Sequence, residues 1–493
     1  MKLPPAKSPQ EKAISIAVNS YIEDAFKLDR VADVDDIELS LLQNPTQDSC
    51  ALAFKHRYRG QLLFAHLYKV WLCWDEKVWS ENKTNLVSHY IRNLVRGVNV
   101  HKKQSLSTAS FSAGVESFCR NDPALSLRGD ELDKNNYILN TPAGTIDLKT
   151  GLMRPHSADD LLTKITMCSP EKTNGERFER FMDEITGGDK ELNYFLKVLL
   201  GSLLSGAVES HFIILWIGEG RNGKNTLGDL IMWILGAYAR KIPSNVLMAS
   251  KHERHPTELA SLMGVRLAIS SEISEGAFWN EARINELTGD STISARFMGC
   301  DFFEFPRTHK HLIYGNHRPQ LRTINDALKS RLVIVPFKQS FVGREDPLLT
   351  EKLKAEAGYI LNWLLEGHSL WLSAGRKLPP CAVVAAEQED YFSTQSTVEA
   401  WVNERCQRIE ADTRTSKDID LASVLYASYE QWKRNRGEAP FSQTRWGDAK
   451  SKLFKKEKTN RGLKYRGVRL SYSSEWGADS PFSELPKHSN GGE

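Results

Sequence analysis

Apolar and polar positions are patterned most regularly in the middle of the chain. His211–Ile217 is a nearly continuous apolar run of strand length, as expected of a strand buried on both faces. A polar, glycine-rich stretch follows it. Leu227, Leu230, Ile231, Ile234 and Leu235 then recur at helical spacing. Further buried strands are predicted at Val265–Ser271, His311–Gly315 and Leu332–Val335. Strands alternating with helices from His211 to Phe337 predict an α/β domain built on a sheet.

The flanks carry weaker patterns. Ile14, Ala17, Val18, Tyr21, Ile22, Ala25 and Phe26 predict an early amphipathic helix, and Leu67–Trp74 and Val78–Trp79 read as short aromatic strands. Asn140, Gly144 and Gly151 divide Tyr137–Leu152 into a hairpin. Glu176–Ser205 reads as helical. Its most apolar part, within Tyr194–Val208, is interrupted by Lys197, Gly201, Ser202, Ser205 and Gly206. It therefore falls short of the ~20 apolar residues of a membrane span and predicts a buried helix. Leu378-Pro379-Pro380 marks a hinge. Beyond it, Val424, Leu425, Tyr429 and Trp432 have helical spacing, Phe441–Trp446 opens another helix, and Arg461–Leu470 alternates like a two-stranded wing.

The length of 493 residues exceeds what one core supports, so two or three domains are expected. The net charge of +3 is ordinary, but its distribution is not. Between Lys433 and Arg469 thirteen Lys and Arg face three acids, a local surplus near +10 that leaves the remainder near −7. Such a concentration points to nucleic acid as a partner. The seven cysteines, at 50, 73, 119, 168, 300, 381 and 406, form no C-x-x-C pair, so neither a zinc ribbon nor a disulfide framework is expected. With no apolar leader in Met1–Lys12, a cytoplasmic protein with reduced thiols and no membrane partner is expected.

The chemistry centres on Gly218-Glu219-Gly220-Arg221-Asn222-Gly223-Lys224-Asn225-Thr226, between a strand and a helix. Glycines let backbone N–H groups approach phosphates, the helix N-terminus favours negative charge, and Lys224 can reach the terminal phosphates. ATP and Mg2+ are the expected cofactors. The position after the lysine is Asn225, so Mg2+ contact falls to its amide or to Thr226. Glu272, with Glu275 behind it, ends the second strand and suits the Mg2+ shell or the attacking water. Asn316 ends the third strand, and Arg331 precedes the fourth, where a guanidinium can neutralise transition-state charge across a subunit interface.

In order and spacing, these landmarks resemble the superfamily 3 helicases, specifically the primase-helicase proteins of satellite phages, plasmids and poxviruses. The resemblance runs over residues 130–345: Leu139–Gly151, Gly220–Thr226, Ser271–Gly276, Glu286-Leu-Thr-Gly-Asp290, Ile293-Ser-Ala-Arg-Phe297, Tyr314-Gly-Asn-His-Arg-Pro319 and Arg331–Phe337. It implies Walker A and B roles for Lys224, Thr226 and Glu272, with Mg2+ held by Asn225, Thr226 and Glu272. It also implies a sensor role for Asn316, an arginine-finger role for Arg331, and a homohexameric ring. Ile293–Phe305 resembles the channel hairpin that grips single-stranded DNA. Arg296 and Phe297 are its candidate contacts, whereas Phe302, Phe303 and Phe305 are assigned to the core. The family usually has a basic residue where this chain has Asn285, a basic hairpin tip where it has Met298-Gly299-Cys300, and a double arginine where Lys329-Ser330 precedes Arg331.

The expected fold is therefore α/β: a P-loop, AAA+-like superfamily 3 ATPase core with an α+β N-terminal region and a C-terminal winged-helix domain. The expected divisions are 1–130 (N-terminal region), 131–205 (helical collar for oligomerisation), 206–378 (ATPase), 379–420 (linker and helix), 421–475 (winged helix) and 476–493 (disordered tail). Arg445, Lys450, Lys452, Lys455, Lys456, Arg461 and Lys464 are the expected DNA-binding residues of the C-terminal module. With no primase signature in residues 1–130, the chain is not expected to make primers. The expected activity is ATP-dependent unwinding in replication of a phage or mobile element. Single-stranded and origin duplex DNA are the expected substrates, with a separate primase or host replication proteins as further partners. The alternatives are an origin-binding initiator or loader with weak unwinding, and a non-motor DNA-binding regulator that retains the fold.

Overall fold

The computed structural model describes residues 45–99, 106–208, 211–249, 257–298, 301–321, 326–409, 421–437, 439–459 and 462–471. The expected early helix and C-terminal tail lie outside them. The described residues form two units, one reaching Lys134 and including His156–Thr163, the other holding Asn135–Pro155 and everything from Lys164.

In the first unit, α1 (Gln47–Tyr58) starts at Thr46, whose hydroxyl accepts from the Ser49 N–H in a reciprocal capping box. The strands β1 (Leu62–Ala65), β2 (Val70–Trp74), β3 (Trp79–Glu81) and β4 (Ser126–Leu127) form a sheet ordered β3-β2-β1-β4. Helices α2 (Leu86–Asn99) and α3 (Ala109–Asn121) share with α1 a core containing Cys50, Phe54, Trp71, Ile91 and Val115. The predicted aromatic strands are present, the first shortened to Val70–Trp74 and the second shifted to Trp79–Glu81.

The second unit opens with the predicted hairpin, β5 (Ile138–Thr141) and β6 (Gly144–Asp147), extended by β7 (Met153–Arg154). The collar expected over 131–205 is therefore not helical throughout. It becomes helical at α4 (Glu176–Thr186), which left-handed Gly187 (φ 67°) ends, and continues in α5 (Lys190–Gly201), which Asp189 caps by accepting from the Leu192 N–H.

Five strands form the central sheet: β8 (Ile213–Ile217), β9 (Ala239–Lys241), β10 (Leu267–Ser271), and, past the hairpin, β13 (Lys310–Gly315) and β14 (Leu332–Pro336). The hairpin is β11 (Thr292–Arg296) and β12 (Phe302–Pro306), which pair antiparallel. The order β14-β8-β13-β10-β9 is parallel throughout, so every strand's C-terminal end lies on one edge. All five residues of β8 are buried, as its uninterrupted apolar run requires. After the glycine loop, α6 (Lys224–Leu235) buries Leu227, Leu230, Ile231, Ile234 and Leu235, matching their spacing. The edge strand β9 has only three residues, two of them cationic, and carries no apolar signal in the sequence.

Helix α7 (Glu281–Gly289) leads into the hairpin, and α8 (Asp326–Arg331) into β14. Helix α9 (Ala357–Ser373) crosses α5 at two glycines: a Cβ on Gly367 would lie 2.1 Å from the Lys197 carbonyl oxygen, so the backbones meet only because it has none.

The region expected to be a linker is mostly one helix, α10 (Ala382–Arg405). Val384, Tyr391 and Phe392 pack into the sheet domain, while Val398, Trp401 and Val402 belong to the C-terminal core. That core also receives α11 (Ala422–Asn435), α12 (Gln443–Leu453) and the hairpin of β16 (Lys456–Thr459) and β17 (Gly462–Tyr465). The two strands expected to pair within Arg461–Leu470 do not pair with each other: β17 pairs backward with β16, whereas β18 (Val468–Leu470) pairs with β15 (Cys406–Arg408). Among the described residues, no helix is long and apolar enough to cross a membrane, and no disulfide joins the cysteines.

Candidate nucleotide site and its surroundings

Parallel register assembles the site. Ile217 pairs with Gly315, so Gly218 and Asn316 leave the sheet side by side. Ser271 pairs with Tyr314, which brings Glu272 out beside them. Pro336 pairs with Ile217 on the other flank, placing Phe337 next to the loop.

The loop is held from within. Asn222 is buried, and its amide donates to the Phe337 carbonyl at 3.0 Å. Arg221 and Gly223 are left-handed (φ 58° and 85°), which turns the chain sharply onto the first turn of α6. Lys224 is 3% exposed. Its ammonium donates to the Gly218 carbonyl (2.9 Å), the Glu219 carbonyl (3.2 Å) and the Asn316 amide oxygen (2.8 Å). Burial lowers its pKa from the ordinary lysine value. Glu219, Gly220 and Asn225 are exposed and Thr226 is half-buried. Arg221 reaches Glu345 at 2.6 Å, an exposed pair worth little to stability.

Glu272 is exposed and adopts φ 67°, a conformation costing about 1–2 kcal/mol for a residue with a Cβ. Its N–H donates to the Tyr314 carbonyl and its own carbonyl accepts from the Ser244 hydroxyl, so the bend is anchored on both sides. The Tyr314 hydroxyl donates to Asp229 at 2.7 Å, and burial with that bond raises its pKa. The sequence offered no signal for this contact between α6 and β13.

Arg331 is elsewhere. It precedes Leu332, which pairs with Ile213 at the start of β8, so the length of a strand, about 16 Å, separates it from the loop. Its guanidinium donates to the Thr288 hydroxyl at 2.6 Å. Nearby Arg307 donates to the Asp290, Leu287 and Val208 carbonyls, and burial first, then Arg331, lowers its pKa. Lys224, Asn316 and Glu272 therefore converge, and Arg331 of the same chain does not join them.

In the hairpin, Arg296 and Phe297 are half-buried, the guanidinium lying 5.0 Å from the Phe302 ring centroid and the Phe297 ring stacking on Phe303. The core assignment holds for Phe305, which is buried. It fails for Phe302, 61% exposed, because strand alternation turns 302 away from the face that 303 and 305 share.

The C-terminal lysines divide. Lys450 is fully buried, its ammonium 4.3 Å from the Trp401 ring centroid and 4.9 Å from that of Trp446. Lys464 is also buried. Lys450 therefore lies on the inward face of a small aromatic core rather than on an open DNA-facing surface. Lys455 and Lys456 are exposed. Arg445 and Lys452 lie on α12, and Arg461 lies outside the described residues.

Two family descriptions match the chain: "D5 N terminal like" over residues 51–187 and "Family of unknown function (DUF5906)" over residues 216–331. It is similar to the Acanthamoeba polyphaga mimivirus protein named "Putative helicase L207/L206", at 28% identity over 52% of this chain and 28% of that one. It is also similar to "Putative primase C962R" of African swine fever virus (isolate Tick/Malawi/Lil 20-1/1983), at 20% identity over 71% of this chain and 38% of that one. The chain thus spans well under half the length of these curated relatives. Among solved structures, the apo C-terminal region of NrS-1 aligns with a TM-score of 0.45 at 9% identity, over 86% of this chain and 99% of that one.

Proposed function

Because the chain belongs to the D5-like primase-helicase family, we propose that it is an ATP-dependent DNA helicase of superfamily 3 serving the replication of a phage or other mobile element. The observation that carries this reading is the Lys224–Asn316 bond between two adjacent parallel strand ends, with Glu272 leaving the next strand beside them. The viral relatives named as helicases and primases support it.

The residues fit Mg-ATP. A left-handed glycine opens α6 at Lys224, and the Lys224 ammonium rests on exchangeable carbonyl and amide oxygens that phosphate oxygens can replace. Asn225, Thr226 and Glu272 would hold Mg2+, which when bound neutralises phosphate charge. Glu272 would orient and deprotonate the attacking water, and Asn316 would orient it from the neighbouring strand. Arg331, a strand's length away, would serve the nucleotide of a neighbouring subunit in a hexameric ring. Arg296, Phe297 and Phe302 would contact single-stranded DNA by charge and stacking. The α11–α12–hairpin module would act as a winged helix on origin duplex, with a separate primase or host proteins completing replication.

The test is ATPase activity with and without single-stranded DNA, followed by duplex unwinding, for wild type beside Lys224→Ala. Stimulated turnover and unwinding that both vanish in the variant are expected. Absence of turnover in assembled wild type would sink the reading. An origin-binding initiator with weak unwinding is favoured by one observation: Met298, at the hairpin tip, is 89% exposed and uncharged. Turnover without unwinding selects it.

A further inference from the structure

A cleft of about 940 Å3 lies over the glycine loop, within the size range of small-ligand sites. Gly218, Glu219 and Asn316 form one side, and Ser451, Lys455 and Lys456 form the other. The second side comes from the end of α12 and the start of β16, in the C-terminal module. Both sides lie in the same unit.

Their placement is braced by α10. Arg318, two residues beyond Asn316, pairs with Glu387 and, at 2.9 Å, with Asp390 on that helix. The same helix sends Trp401 into the C-terminal core. Asn316 and the two lysines are thus carried by elements fixed to a single helix.

The position of two lysines opposite the glycine loop points to the ligand class. Glu219, Glu275, Asp390 and Asp448 line the cleft, and Arg318 divides its single charge between Asp390 and Glu387. An anion at the loop therefore depends on Lys455 and Lys456, the cations on the facing wall, to offset these carboxylates. Neither lysine forms a salt bridge or side-chain hydrogen bond among the described residues. Lysines on an open surface would suit DNA phosphates. These two instead face a bounded cleft with the phosphate-binding loop on its other side.

We propose that Lys455 and Lys456 are nucleotide-binding residues, supplied by the C-terminal module to the phosphates of a nucleoside triphosphate held at Lys224 of the same chain. The inference rests on the P-loop reading and extends it: the module senses nucleotide, and the lysines serving nucleotide are withdrawn from DNA.

The experiment is equilibrium binding of Mg-ATP to the full chain by calorimetry, beside fluorescence anisotropy with an oligothymidylate. The proteins are wild type, Lys224→Ala, the double variant Lys455→Ala/Lys456→Ala and the double variant Lys455→Arg/Lys456→Arg. Matching thermal midpoints without nucleotide show that each is folded. The expected result is a loss of about tenfold in ATP affinity for the double alanine variant, the scale of two charge-assisted contacts beside solvent. Recovery in the arginine variant and oligothymidylate affinity within about twofold of wild type are also expected. Unchanged ATP affinity in the double alanine variant, with binding lost in Lys224→Ala, overturns the inference and leaves the P-loop reading intact. Weakened oligothymidylate binding at unchanged ATP affinity overturns it in favour of DNA in the cleft. No ATP binding by folded wild type overturns both.

Discussion

The Lys224 ammonium donates to the Asn316 amide oxygen at 2.8 Å, joining the glycine loop to the neighbouring strand end. Removing either partner is expected to have a different result. Lys224→Ala should lower turnover by 100-fold or more and weaken ATP binding (order of magnitude for a lost phosphate and transition-state contact). Asn316→Ala should lower kcat by about 10- to 100-fold with ATP affinity within about threefold. Paired kcat and Kd measurements check this, and parallel losses of affinity would contradict separate roles.

Glu272 combines an exposed carboxylate with φ 67°. Glu272→Gly should raise unfolding stability by about 1 kcal/mol, because glycine adopts this conformation without the Cβ clash. Turnover should nevertheless fall about 100-fold or more. Glu272→Gln should lose turnover similarly and gain no stability. Urea denaturation beside ATPase assays separates the backbone effect from the chemical one.

Arg331 and Lys224 lie at opposite ends of the sheet. Mixing inactive Arg331→Ala with inactive Lys224→Ala subunits should therefore recover ATPase above either parent, because some interfaces then contain both intact residues. A mixture no more active than its parents would place the two residues in one chain's site or remove Arg331 from catalysis.

The hairpin phenylalanines are expected to separate stability from DNA contact. Phe305 is 1% exposed and Phe302 61%, so Phe305→Ala should cost about 3–5 kcal/mol of stability. Phe302→Ala should leave the thermal midpoint nearly unchanged and weaken single-stranded DNA binding by roughly 1–3 kcal/mol through lost stacking. Unchanged DNA affinity in Phe302→Ala would remove that ring from the interface.

His309 and His311 are fully buried edge to face, their ring centroids 4.7 Å apart. Burial lowers both pKa values, His311 to about 3 with added repulsion from Arg307, and His309 with added repulsion from His311, Arg307 and Lys310. Unfolding returns each to about 6.5, so below that pH the unfolded chain binds protons that the folded chain refuses. Their contribution to stability is complete above about 6.5 and declines as pH falls toward 3, by up to about 1.4 kcal/mol per pH unit for each histidine. His311→Leu should flatten the decline between pH 6.5 and 4 in urea titrations. An unchanged slope would assign the acid sensitivity elsewhere.

Within the sheet domain, the sequence located strands β8, β10, β13 and β14 and the loop at Lys224, because residues buried on both faces leave long apolar runs and a tight strand-to-helix turn needs glycine at its left-handed position. It missed β9, whose polar side chains record no burial. It paired two strands within Arg461–Leu470 that instead pair with β16 and β15, since alternation does not specify which strand is the partner. Lys450 was read as a DNA contact from its charge, but the rings of Trp401, Trp446 and Tyr465 surround it, and they meet it only through packing across the C-terminal core.

Local pattern located the four long buried strands, the glycine loop that follows the first of them, and Glu272 and Asn316 at strand ends, because each property depends on side chains near one another in sequence. Tertiary structure alone decided that Asn316 meets Lys224 while Arg331 turns to Thr288, that Phe302 faces out, and that Lys455 and Lys456 stand across a cleft from the loop. Those outcomes depend on strand order, register and the reach of one long helix, which bring together residues tens to hundreds of positions apart.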